Sequence, residues 1–438
     1  MTRRSSGFSL SATDSRQSAR RWRWLLWGLI AATFLLVNVY RLSTAVIADA
    51  LMGALGTTGA QLGTLHAVFF FVYAVMQIPT GVLVDRVGPR LTAAAGAAVM
   101  NIGAIWFALA STYGPAMGAR LLIGLGGSVI FVSMLRFSAN WFRPDEFGTM
   151  NGLSFAVGGI GGILATTPFA LLVDAAGWRT SFFGLAVVGL GLSVATLLFV
   201  RDSPERAGFP SIEGIPERPR ITLGEARTFV AAVLRDPWTW VVSVLLFVTG
   251  GINLTLFGLW GIPYVVQLYD TSVTIASTVT LLGGVGIVVG PPAIGRLSDR
   301  IGHRTELVVA GTVVYTATLA VIALLGTPPL LVVGIAFFVA GALLGAFVLT
   351  YPMIKRRHED RASGISLGTI NGASFFGAAA FPTLMGIVLD AYWTGEIVGG
   401  VRVYTVTGYR IAFAIAAAAS LATIGCALWL HRHAPERV

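Results

Sequence analysis

Arg41 stands seventeen residues past Trp24 in an apolar run, and apolar sequence resumes at Ala45-Val-Ile-Ala48. At 1.5 Å per residue, this places the guanidinium about 25 Å along a helix. An ionised guanidinium is costly against lipid, so it should face a wet cavity and offer its fork to a carboxylate or phosphate. The plainer alternative is an arginine near the outer interface that snorkels to headgroups. Tyr73 and Gln77, four residues apart, share one face of the next apolar segment, where they can add donors or bond a neighbouring helix. Asn253, Asn371 and Ser374 are what the second half of the chain would contribute. The protonatable groups at depth are Asp49 and His66, each a candidate to bind H+ and each otherwise a helix-end or satisfied interface residue.

A different chemistry sits in Gly81-Val-Leu-Val-Asp85-Arg86-Val-Gly88-Pro-Arg90, which returns 214 positions later as Gly295-Arg-Leu-Ser-Asp299-Arg300-Ile-Gly302-His-Arg304. So many charges between apolar segments imply short loops that reach water. Gly81 and Gly88 permit close packing and a tight turn, while Asp85 can accept from a helix N-terminus and pair with Arg. Such contacts can latch one face of a molecule; the alternative is arginines that merely fix topology. Arg136 and Arg356, 220 positions apart, are the expected latch partners.

The elements that carry these groups follow from composition. Of 438 residues, 55% are hydrophobic and 11% charged, and the mean hydropathy is +0.79, which describes an all-α integral membrane protein. Segments of about 20 apolar residues fall near 24–48, 61–83, 91–111, 116–138, 149–173, 179–200, 238–259, 273–294, 306–326, 329–352, 364–389 and 408–430, twelve in all. Residues 1–23 read as a disordered tail, 24–200 and 237–430 as two six-helix bundles, 201–236 as a linker with an amphipathic end (Leu223 to Leu234), and 431–438 as a second tail. Arginines gather in alternate loops, which puts both termini and the linker in the cytoplasm of a multi-pass protein of the plasma (inner) membrane. Two further matches, Gly148-Thr-Met-Asn151-Gly-Leu-Ser154-Phe155 with Gly368-Thr-Ile-Asn371-Gly-Ala-Ser374-Phe375, and Gly177-Trp-Arg179 with Gly408-Tyr-Arg410, extend the duplication along the chain.

Several classes are disfavoured. The excess of 30 Lys and Arg over 20 Asp and Glu forms no basic stripe, so nucleic acid is not a partner. A single cysteine, Cys426, and no histidine clustering leave no metal site, and no nucleophile-base set or nucleotide loop suggests an enzyme or an ATP-driven pump.

The duplicated decapeptide, the linker and Arg120-x-x-x-Gly124-x-Gly126 resemble the major facilitator superfamily (MFS) over essentially the whole chain. The resemblance implies an MFS fold of twelve transmembrane helices in two pseudo-symmetric bundles that rock to expose a central site to alternate sides. Asn38-Val-Tyr40-Arg41, Gly63, Tyr73, Gln77-Ile-Pro-x-Gly81 and Arg136 with Trp141-Phe142 are similar to the anion:cation symporter branch, which includes sialin-like and sugar-acid carriers. That branch has a Glu where this chain has Gly127 and often an Asp where it has Tyr40, so its coupling residues have no counterpart here. The expected function is secondary active or facilitative transport of a small organic solute, an anion by preference. H+ or Na+ would be the co-transported ion, no cofactor is needed, and the working unit is a monomer in the lipid bilayer. The alternatives are a proton-coupled multidrug or amphiphile exporter and a non-transporting receptor or scaffold on the same fold.

Overall fold

The computed structural model describes residues 12–209, 223–358, 363–398 and 401–433. Arg3, Arg4, linker residues 210–222, Arg361 and Arg437 lie outside that set. The first half comprises α1 (Ala12–Leu42), α2 (Ala48–Leu55), α3 (Gly59–Val87), α4 (Pro89–Leu109), α5 (Tyr113–Ser128), α6 (Ile130–Trp141), α7 (Pro144–Leu164), α8 (Thr167–Ala176) and α9 (Trp178–Phe199). After the linker helix α10 (Leu223–Arg235), the second half comprises α11 (Pro237–Thr255), α12 (Gly261–Tyr269), α13 (Val273–Ile301), α14 (Arg304–Leu325), α15 (Leu330–Ala342), α16 (Leu344–Val348), α17 (Thr350–Arg357), α18 (Ser363–Ala391) and α19 (Val406–His433). A two-stranded antiparallel hairpin, β1 (Trp393–Val398) and β2 (Val401–Tyr404), precedes α19 and was not foreseen in the sequence.

Among the described residues, eleven helical spans are long and apolar enough to cross a membrane, and α7 with α8 forms a pair bent by 43° that makes a twelfth. Some spans join consecutive elements, such as α5 with α6 and α11 with α12, the latter through a π-helical turn at Leu256–Trp260. The first span is shorter than the sequence suggested. α1 stops at Leu42, Ser43 to Ile47 form a turn, and α2 restarts as a separate short helix that Gly56 ends at a φ of 61°. The helix also begins earlier than expected, since residues 12–23, read as disordered, continue it toward the N-terminus.

The duplicated decapeptides are less loop-like than their charge implied. Asp85 and Arg86 occupy the last turn of α3, and Pro89 opens α4, so Gly88 alone makes the corner at a φ of 94°. A Cβ on Gly88 would lie 2.8 Å from an Asp202 carboxylate oxygen. Gly81, expected to permit close packing, has nothing within 4 Å of where its Cβ would stand, and the same holds for Gly295. The third duplicated motif has a clear local purpose. Arg179 donates to the Ala110 carbonyl at 3.0 Å, beyond the end of α4, while Arg410 donates to Ala323 and Leu324 at 3.0 Å each, at the end of α14. Each satisfies carbonyls that a helix C-terminus leaves open. Arg90 does likewise for α9, donating to Leu197 from both Nε (2.9 Å) and Nη2 (2.6 Å).

The two halves meet at mid-depth and at the face away from the termini. At that far face Asp390, near the end of α18, accepts from the Gly59 and Ala60 amides of α3 at 2.8 Å each, and Thr274 of α13 donates to Asp174 of α8 at 2.6 Å. Thr64 and Thr383, and Thr167 and Thr278, approach to 3.4 and 3.3 Å. At mid-depth Tyr73 packs on Phe375 with centroids 4.5 Å apart. Among the described residues no hydrogen bond or ion pair joins the halves at the face that holds the termini. There Arg23 grips Glu146 within the first half through two bonds of 2.9 and 2.7 Å, and Arg357 of the second half reaches Asp236, the last linker residue, at 3.3 Å.

Candidate substrate site and transport machinery

Arg41 sits one residue before the end of α1, half-buried, and its Nη2 donates to Asn38 Oδ1 one turn earlier. Asn38 is itself held, since its Nδ2 donates to the Phe34 carbonyl at 2.8 Å. The Arg41 Nε is buried and has no partner. Tyr73 and His66 of α3 lie close enough to Arg41 for their charges to interact. His66 is fully buried, and neither ring nitrogen has a well-formed hydrogen bond, though the Leu254 backbone of α11 lies beside the ring. Its ring also lies 3.0 Å from where a Cβ on Gly258 would stand, so the first half touches the π-helical turn of the second at this point. π-helical turns widen a helix locally and recur where backbone is needed for a site.

A second guanidinium lies nearby. Arg120 of α5 is fully buried, donates to the Tyr40 carbonyl at 2.9 Å, and leaves Nη2 without a partner. It rests over Phe69, 5.4 Å from the ring centroid. Neither Arg41 nor Arg120 has a carboxylate partner among the described residues. A buried cation without a counter-ion is costly.

The residues expected from the second half divide into two groups. Asn253 of α11 is 3% exposed, and neither its amide nitrogen nor its oxygen has a partner, an expensive arrangement unless a ligand or water supplies one. Asn371 instead accepts from the Tyr351 hydroxyl at 3.0 Å, and Ser374 packs against Gly250, so both serve contacts between helices in this conformation. Gln77 makes only a long bond of 3.4 Å to the Tyr73 carbonyl. Asn38 and Arg120 were not singled out as site residues in the sequence. The signal for Asn38 was its position three residues before Arg41, on the same helix face.

Asp49 lies in the first turn of α2 with one carboxylate oxygen buried and unpartnered, and burial pushes its carboxyl up to about 6. It faces Tyr409 of α19. On the terminus side, Asp85 pairs with Arg136 at 3.5 Å within the first half. The second copy does not repeat this, because Asp299 pairs with Arg304 of its own corner at 3.5 Å, and Arg356 has no ion pair among the described residues. Arg86 and Arg300 are likewise without one. The acceptor expected of Asp85 is supplied by Asp202, which takes the Arg90 amide of α4 at 2.9 Å. No cluster of His, Cys, Asp and Glu among the described residues could hold a metal ion.

The profile of the Major Facilitator Superfamily matches residues 26–382 and 251–438. The chain belongs to this superfamily. It is a multi-pass membrane transporter, not an enzyme. The probable sulfoacetate transporter SauU of Cupriavidus necator is 25% identical over 289 residues, covering 65% of this chain and 66% of that one. A probable hexose phosphate transport protein of Chlamydia trachomatis is 23% identical over 412 residues, covering 87% and 89%. Among solved structures, a bacterial homologue of the human lysosomal transporter Spinster, in an inward-facing and unoccupied conformation, superposes with a TM-score of 0.76 at 16% identity, covering 94% of this chain and 97% of that one. The two halves and twelve spans of the superfamily fold are thus those described above.

Proposed function

We propose that this transporter carries a small organic anion across the plasma membrane by alternating access, with both termini and the linker in the cytoplasm. The observation that carries the reading is the pair of membrane-embedded guanidiniums, Arg41 and Arg120, which lack carboxylate partners beside the unpartnered His66. Arg41 is the substrate anchor, because it is only partly buried and its Nε has no partner, whereas Arg120 is fully enclosed and sets the positive field. Tyr73 and Asn253 complete the site from either half. Relatives named for sulfoacetate and hexose phosphate support an anionic substrate. With the halves joined at the far face and unjoined at the terminus face, the conformation is inward-facing. The Asp85–Arg136 pair is then one position of a cytoplasmic latch, to which Gly81, Arg86, Gly88 and Arg90, and in the second copy Gly295, Asp299, Arg300, Gly302, Arg304 and Arg356, belong. The protein works as a monomer.

Uptake of an anion into a cell with a negative interior costs about 2.3 kcal/mol per charge per 100 mV. A co-transported cation, H+ or Na+, offsets this, and Asp49 and His66 are the groups placed to bind it. The test is uptake into proteoliposomes from a panel of sulfonates, phosphates and sugar acids under imposed pH and potential gradients. Arg41→Ala and Arg41→Lys should each raise KM at least tenfold, Lys because it cannot reproduce the planar fork. Unchanged affinity for an anion in both variants, or transport of hydrophobic cations alone, overturns the reading.

A further inference from the structure

The far face carries acidic side chains that the anion site does not use, and two of them occupy matching places. Asp390 lies one residue before the end of α18, the fifth span of the second half, and Asp174 lies two before the end of α8, which completes the fifth span of the first. Each is preceded by Leu and Val and followed by Ala, and 216 positions separate them. Their partners also match: Ala60, at the start of α3, and Thr274, at the start of α13, are 214 positions apart, the offset of the duplicated decapeptides. Each carboxylate therefore reaches from one half to the N-terminus of the second span in the other.

The chemistry at the two places differs in strength. Asp390 takes the Gly59 amide on Oδ1 and the Ala60 amide on Oδ2, both at 2.8 Å. These are N–H groups that a helix start leaves without intrahelical partners, and the positive end of the helix dipole favours the carboxylate there. Thr58 satisfies the next amide, that of Gln61, at 3.2 Å, so Asp390 completes the cap from across the interface. The hairpin holds Asp390 in place, since Arg402 Nη1 and the Tyr404 hydroxyl both approach its Oδ1 at 3.3 Å. Asp174 is exposed and accepts only the Thr274 hydroxyl, at 2.6 Å.

We infer that Asp390 and Asp174 are the paired gate residues of the far face, two carboxylate clasps at helix N-termini, with Asp390 the stronger because the β1–β2 hairpin braces it. Closing the face docks each carboxylate on the opposite half, and opening returns the Gly59 and Ala60 amides and the Asp390 carboxylate to water and frees Asp174 from Thr274. A duplicated carboxylate thus closes the face opposite the one that the decapeptides serve. The hairpin, present in the second half only, makes the closure unequal.

The test needs no substrate, so its failure is separable from failure of the anion assignment. In a Cys426→Ala background, Ser277→Cys reports on the far face, because Ser277 is buried between the halves beside Thr167. Spin labels at Val87→Cys and Ile301→Cys, exposed at the terminus-side ends of α3 and α13, report on the other face in a parallel sample. Asp390→Asn should speed maleimide labelling of Ser277→Cys roughly tenfold and add a shorter population to the Val87–Ile301 distance. Asp174→Asn should do the same by a smaller factor, the double variant by about the product, and Arg402→Gln should fall below Asp390→Asn. Unchanged labelling in Asp390→Asn overturns the proposal. So does faster labelling without the shorter distance, because general loosening opens one face without closing the other.

Discussion

The close approach of α3 to α18 makes Gly63→Ala a sharp test of which face is closed. A Cβ at Gly63 would lie 2.4 Å from the Pro382 carbonyl oxygen, 2.7 Å from its carbon and 2.8 Å from the Thr383 Cα. All three are backbone atoms of the opposite half, so no rotamer can relieve them. Ordinary contact begins near 3.4 Å, so α3 and α18 must part by about 1 Å where they touch. Overpacking of this kind costs about 1–3 kcal/mol, and the cost falls only on the conformation in which the helices meet. The ratio of far-face-open to closed molecules should therefore rise by roughly 5- to 150-fold. With Ser277→Cys in the Cys426→Ala background, labelling by an impermeant maleimide should accelerate within that range. Gly386→Ala, whose Cβ would meet the Gly59 carbonyl oxygen at 2.3 Å, should act alike, and Gly184→Ala, with nothing within 4 Å, should not. Unchanged labelling in a monodisperse Gly63→Ala protein would show that the reasoning is wrong.

Asn253→Leu removes an amide with no partner, so thermal stability should hold or rise while KM for a transported anion climbs at least tenfold; unaltered transport would remove Asn253 from the site. The Asp49 carboxyl is raised to about 6 by burial, so the closed far face binds its proton more tightly than a hydrated, open one. That contribution to closure is present below the ordinary carboxylate range and lost as pH rises through about 6. Labelling of Ser277→Cys, divided at each pH by the rate of a free model thiol to remove the loss of thiolate in acid, should be slower at pH 5 than at pH 7, and Asp49→Asn should abolish the difference. At Glu146 burial works upward, but the Arg23 fork and the Arg143 amide outweigh it and hold the carboxyl below its usual range. Its support for the fold is thus present above the ordinary carboxylate range and lost as pH falls through the lowered value. Glu146→Gln should lower Tm by about 2–4 °C at neutral pH and flatten the acid limb of a Tm-against-pH profile.

The repeats carried most of the architecture because a duplicated bundle repeats its apolar periods and its corner chemistry together. Arg179 and Arg410 were visible as a matched pair, yet their purpose, closing the C-terminus of a neighbouring helix, depends on three-dimensional adjacency that spacing does not encode. The α1 break at Ser43 was hidden because the sequence on either side is equally apolar. The hairpin had a local signal that went unread, Val398-Gly-Gly-Val401 between β-branched residues. Arg41 could be picked out because a charge in an apolar run is conspicuous. Asn253 and Asn371 look alike in sequence, and only packing separates an amide with no partner from one that holds Tyr351.

The Tyr73–Phe375 contact divides the molecule's height into two arms. Arg90, Arg179 and Arg410 tie helix ends together inside each half, so a half behaves as a stiff lever, and the aromatic pair is where one lever bears on the other. With a hydrocarbon core about 30 Å thick, each arm is about 15 Å, and a tilt of about 10° shifts either end by roughly 3 Å. Because Tyr73 is also next to Arg41, the proposed anchor sits where displacement is least and leverage greatest. A bound anion need not be carried through the membrane at all; it stays almost still while the walls on either side exchange places.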